Sequence, residues 1–84
     1  MFLKKDLGAM LVKHGEEYYI CKERRVFKVN EVGARVFELC NGKITIEQIA
    51  EKISTKFTID YGKAYDDVSS YINVLLELDI VKKV

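Results

Sequence analysis

The chain has no proline and no tryptophan, a single histidine, His14, and only two cysteines, Cys21 and Cys40, among its 84 residues. With no proline, every turn must come from glycine, asparagine or charged residues, and no helix or strand is interrupted by a residue lacking its N–H. The two cysteines are nineteen positions apart and have no CxxC or Cys/His spacing around them, the pattern of buried thiols in a reducing compartment and not of a disulfide or a metal site. His14 falls in a predicted turn with no serine, cysteine or carboxylate placed to form a relay with it. Asp66 and Asp67 are adjacent, so on a helix they point about 100° apart and cannot act as a carboxylate pair. A glycine-rich phosphate loop is also missing, and these absences together exclude an enzyme as the expected class. Large charge of either sign is lacking too: fourteen basic against thirteen acidic residues leave a net charge of +1, too little to attract a phosphate backbone. The N-terminal stretch has no apolar run long enough for a signal peptide or a membrane span, and a cytoplasmic location is expected.

What is present suits a small folded body. Hydrophobic residues make up 49% of the chain and charged residues 32%, which fits one globular domain over residues 1–84. Leu7 to Lys13 reads as a first strand and His14-Gly15-Glu16 as a turn. Glu17 to Cys21, with Tyr18, Tyr19 and Ile20, reads as a second strand. Lys22-Glu23-Arg24 turns the chain into a third strand, Arg25 to Val29, which places Phe27 and Val29 on one face and Val26 and Lys28 on the other. The result is a three-stranded antiparallel meander with two open edges.

Three helices follow. Asn30 is an N-cap, Val32, Val36, Phe37 and Cys40 share one helical face, and Asn41-Gly42 supplies a left-handed stop. Thr45 and Gln48 have capping-box spacing, Ile44 can staple onto Ile49, and Ile46, Ile49, Ala50, Ile53 and Phe57 form the buried stripe of the second helix. These two helices read as a helix-turn-helix pair. A third helix runs from Asp60 or Tyr61 to Leu78 or Asp79, with Ile80 to Val84 as an apolar and basic tail. Its apolar residues span an arc of roughly 200°, about twice what packing against one core requires. Two explanations fit that surplus: the helix is central in a small core, or one margin of the arc lines a groove beside the third strand. An extended peptide could pair with the free edge there.

The run Phe27-Lys28-Val29-Asn30, then Gly33, then Val36-Phe37-Glu38-Leu39-Cys40-Asn41-Gly42, then Thr45-Ile46-Glu47-Gln48-Ile49, and finally Asp67-Val68, Tyr71-Ile72 and Leu75, resembles the PqqD family from about Ala9 to Val81. The chain has Asn41-Gly42 where the family commonly has Asp-Gly, and Asp79 where family helices commonly end on glycine. It also lacks the tryptophans common in the first strand of quinone-pathway members, which favours another peptide pathway.

The resemblance implies an α+β fold, a three-stranded antiparallel β-sheet followed by three α-helices in a winged helix-turn-helix-like arrangement. It further implies a non-catalytic domain, without cofactor or metal, that binds the leader segment of a ribosomally synthesised precursor peptide and presents it to a modifying enzyme. Such an enzyme would be a radical SAM maturase or a lasso-type leader peptidase. Carried onto this chain, the leader would meet Arg25, Val26, Phe27, Lys28 and Val29 on the strand and Asp67, Val68, Tyr71, Ile72 and Leu75 on the helix. The arc adds Val74 and Ala64 to the floor of the groove. Val26 and Lys28 would offer backbone pairing, Phe27 would face inward, and Asp67 would tune selectivity through an exposed pair worth about 0–1 kcal/mol.

Two other classes fit parts of the pattern. A winged-helix DNA-binding protein would use Lys43, Lys52 and Lys56 on or near the second helix, although Glu47 and Glu51 balance that charge. A dimerisation module would use the surplus surface of the third helix.

Overall fold

The computed structural model describes residues 2–84. Along them run β1 (Phe2–Lys5), β2 (Ala9–His14), β3 (Glu17–Lys22), β4 (Arg25–Val29), α1 (Glu31–Leu39), β5 (Asn41–Thr45), α2 (Ile46–Phe57), α3 (Tyr61–Glu77) and β6 (Val81–Lys83). The architecture is α+β. The expected meander is present as the antiparallel sheet β2-β3-β4, with Ile20 paired to Leu11 on one side and to Phe27 on the other. Its first strand starts at Ala9 and not at Leu7, because Leu7 lies in the turn that leaves β1 and is 97% exposed.

A second sheet, β5-β1-β6, is the main departure from the sequence-based expectation. Asn41-Gly42 does not close α1 as a left-handed stop. The helix ends at Leu39 with Cys40 as C-cap, and Gly42, at φ 78°, lies in an irregular stretch of β5 where the backbone passes close to the Lys4 side chain. The two helices of the supposed helix-turn-helix are therefore joined by a strand. The C-terminal tail is likewise a strand, with Lys82 paired to Lys4 and Val81 to Lys5.

Local chemistry sets the helix starts as expected. Asn30 accepts from the Gly33 amide at 2.8 Å, and Thr45 and Gln48 form a reciprocal capping box. Asp60 caps α3 by accepting from the Lys63 amide. The α2 helix closes on Thr58 in the left-handed region, φ 53°.

The core is one cluster drawn from every layer. Ile20 comes from the large sheet, Leu3 and Val81 from the small one, and Phe37, Ile49, Ile53, Val68 and Ile72 from the helices. No polar side chain is buried among the described residues. Cys40 is in the core and donates to the Val36 carbonyl, and burial pushes its thiol up to about 11. Cys21, expected to be buried, is only half-buried, because it sits on the sheet face turned away from the helices. An Asp6 knot ties the two sheets together: its carboxylate takes Lys82 at 2.9 Å, Lys22 at 3.6 Å and the Gly8 amide at 2.9 Å.

Candidate functional site

The β3–β4 hairpin determines which backbone groups face outward. Its loop is the two residues Glu23 and Arg24, so the flanking pair Lys22–Arg25 exchanges both backbone hydrogen bonds, and pairs alternate from there. Phe27 and Val29 accordingly bond to Ile20 and Tyr18. The N–H and C=O groups of Val26 and Lys28 point the other way, towards the outer side of β4. That strand is the last in its sheet, and no described strand covers it.

Beside this edge lies a groove of about 440 Å³. Ile20, Phe27 and Val29 form its strand wall. The helix wall is Asp67, Ser70, Tyr71 and Val74 of α3, three and four apart around the Ser70–Tyr71 step, with the C-cap Leu78 one turn on, Leu75 behind them and Ile80 at that end. The lining is mainly apolar. Val74 is 51% exposed, so the open margin of the arc is this one, while Ala64, Val68 and Ile72 at its centre are core. Both explanations for the wide apolar arc therefore hold, each for a different part of the helix.

Tyr71 is held in place from α1. Its hydroxyl donates to Asn30 Oδ1, the atom that also accepts the Gly33 amide. A Cβ on Gly33 would come within 2.7 Å of the Tyr71 ring, so only glycine lets the ring lie against the first turn of α1. Burial raises the Tyr71 hydroxyl above its usual value, and the nearby Asp67 carboxylate adds to the rise against the opposing bond with Asn30. Asp67 itself pairs loosely with Lys63 at 3.8 Å.

Arg25 guards the Leu78 end of the groove. Its guanidinium donates to the Leu78 carbonyl at 3.3 Å and lies over the Phe27 ring at 5.5 Å. Lys28 lends the groove its backbone, while its side chain reaches to the opposite sheet face and pairs with Glu17. That contact lowers the Glu17 carboxyl and raises the Lys28 amine. Val26 points its side chain to the same opposite face and is 63% exposed.

Of the residues singled out from sequence, the structure brings Phe27, Lys28, Val29, Asp67, Tyr71, Val74 and Leu75 together around the groove. Arg25 borders it through Phe27 and Leu78, and Val26 turns its side chain to the opposite face. Ala64, Val68 and Ile72 do not line it; they are buried in the core beside it. The sequence reading omitted Ile20, Asn30, Ser70, Leu78 and Ile80 from the site. Ser70 and Leu78 were findable, since they continue the row set by Asp67 and Val74. A second, polar hollow of about 370 Å³ shares Lys28, Val29 and Asn30 with the groove and adds Glu16, Glu17 and Glu31.

No helix is long and apolar enough to cross a membrane, and no group of three metal-ligating side chains occurs among the described residues. A search of curated proteins returns no match. Two solved structures share the fold. One, TbiB1 in complex with the TbiA(beta) leader peptide, superposes with a TM-score of 0.79 at 16% identity over 96% of each chain. The other is the solution structure of the PqqD truncation of Methylobacterium extorquens PqqCD, described as a stand-alone RiPP recognition element; its TM-score is 0.83 at 17% identity, over 96% of this chain and 88% of that one. The family described as Coenzyme PQQ synthesis protein D (PqqD) matches residues 10–81, and the chain belongs to it.

Proposed function

We propose that this protein binds, in the cytoplasm, the leader segment of a ribosomally made precursor peptide as an added strand on β4, and holds it for a modifying enzyme without catalysing a reaction itself. The observation that carries the reading is the outward N–H and C=O pairs of Val26 and Lys28 beside an apolar groove. An added strand needs donors and acceptors along one edge and pockets for alternate side chains, and β4 offers the first while Phe27, Val74, Leu75 and Leu78 offer the second. The two structural relatives, one of them with a leader peptide bound, support the same use of the fold. In favour of a holder over a catalyst, the titratable groups that line the groove are engaged with partners: Tyr71 with Asn30, Asp67 with Lys63 and Lys28 with Glu17.

The direct test is an NMR titration of the labelled protein with synthetic peptides from short reading frames neighbouring its gene. A true leader should shift the Val26 and Lys28 amides most and slow their hydrogen exchange, with Tyr71 and Val74 following. A peptide that binds while leaving those two amides unchanged would overturn strand addition. Duplex DNA bound at physiological salt in place of any peptide would overturn the reading as a whole.

A further inference from the structure

The small sheet β5-β1-β6 has a surface unlike the rest of the molecule. Five of the fourteen basic residues, Lys4, Lys5, Lys43, Lys82 and Lys83, lie in its three strands, and those strands contain no acidic residue. The other nine basic residues share the remaining chain with all thirteen acidic ones. Among the described residues only Lys82 of these five has a carboxylate partner, Asp6; Lys5 donates to the Glu38 backbone carbonyl. Lys4, Lys43 and Lys83 are exposed and, among the described residues, have no carboxylate within 4.0 Å; the register sets Lys4 and Lys82 on the outer face, and Lys83, opposite buried Leu3, and Lys5, opposite buried Val81, on the other.

Two features of this surface work against stability. Lys4 and Lys82 are direct cross-strand partners on one face, an arrangement of like charges that weakens a sheet. Phe2 continues that face at 41% exposure, and Val84, whose amide donates to the Phe2 carbonyl at 3.0 Å, is 70% exposed. Repelling lysines next to uncovered apolar side chains suit a ligand carrying both carboxylates and an apolar group. The patch is short: its longest strand has five residues, about 17 Å. A duplex has one charge per about 1.7 Å and would run on over the acidic remainder of the surface, so a short segment fits better than a nucleic acid.

We propose that the outer face of the β5-β1-β6 sheet docks an acidic peptide segment bearing an apolar side chain, carried by a partner protein. None of the five lysines lines the groove, so both surfaces can be occupied at once.

The test measures fluorescence anisotropy of a labelled ten-residue peptide of Asp and Glu around a central Leu, with the full chain and a version replacing each acid by its amide as control. Duplex DNA and anionic vesicles form further arms. Lys4→Gln/Lys43→Gln should weaken binding by about five-fold, the change that two exposed ion pairs supply. Arg24→Gln/Lys56→Gln removes the same charge elsewhere and should leave binding within about two-fold of wild type, since neither residue belongs to the small sheet. The proposal is overturned if the acidic peptide fails to bind, if both double variants weaken it equally, or if DNA or vesicles bind the sheet in preference.

Discussion

Replacing Val26 by proline separates folding from edge pairing. The Val26 amide points away from β3, so proline there removes no hydrogen bond from the sheet, and the lost side chain was 63% exposed. The remaining cost is the shift of φ toward the value fixed by the ring, about 1 kcal/mol or less, or roughly 4–8 °C in Tm for a domain of this size. An added strand would lose more. It forfeits the bond from the Val26 amide, worth about 0.5–1.5 kcal/mol, and meets the proline ring where its own carbonyl should lie. Leader affinity should fall by at least about ten-fold. Thermal denaturation followed by circular dichroism reads the first quantity and fluorescence anisotropy with a labelled leader the second. Hydrogen exchange on the wild type gives an independent check, with fast exchange expected at Val26 and Lys28 and slow exchange at Phe27 and Val29. A loss of several kcal/mol in stability, or protection at Val26 equal to that at Phe27, would refute the assigned pairing. Wild-type affinity in the variant would refute the mode of binding.

Gly33→Ala should change the groove more than the stability: the added Cβ drives the Tyr71 ring from its place, at a cost of about 0.5–1.5 kcal/mol for the bond to Asn30, while alanine returns up to about 1 kcal/mol of helix propensity. The check is the Tyr71 hydroxyl titration by NMR, which should fall toward the ordinary value; an unmoved titration with a large drop in Tm would mean that the helix had shifted and not the ring. Asp6 is held down to about 2, chiefly by its hydrogen bond to Lys82 and also by the Gly8 amide and Lys22, against 3.8 for the free side chain. Because the folded value lies below the unfolded one, its contribution is complete above about pH 4 and is lost as pH falls toward 2. Asp6→Asn should therefore flatten the fall of Tm in that window, and an unchanged acid profile would remove Asp6 from its cause.

The elements readable from sequence were those whose signals are local. Asn30 and the Thr45/Gln48 box announce their helices within four residues, and the alternation around Ile20 and Phe27 gives the large sheet. The small sheet has no such signal. β1, β5 and β6 are three to five residues long and rich in lysine, and they become strands only because β1 finds partners far along the chain, at Asn41–Thr45 and Val81–Lys83. Asn41-Gly42 was misleading for the same reason, since a helix stop and an irregular strand can use the same left-handed glycine. In the site, the spacing of α3 revealed that its apolar surface was too broad for one core, but a helical wheel has no way to tell a covered margin from an open one. Val74 and Tyr71 sit on the open margin and Ala64, Val68 and Ile72 do not, a distinction made by α3 packing chiefly on α2 while the large sheet stands across the groove.

The antiparallel pairing of β1 with β6 also sets how the protein responds to being pulled. Residues 2 and 84 are hydrogen-bonded neighbours at the same end of that pair. Tension applied between them would load the contacts one after another, as in opening a zipper, and not all together in shear. The small sheet would peel away at low force before the helices carried any load.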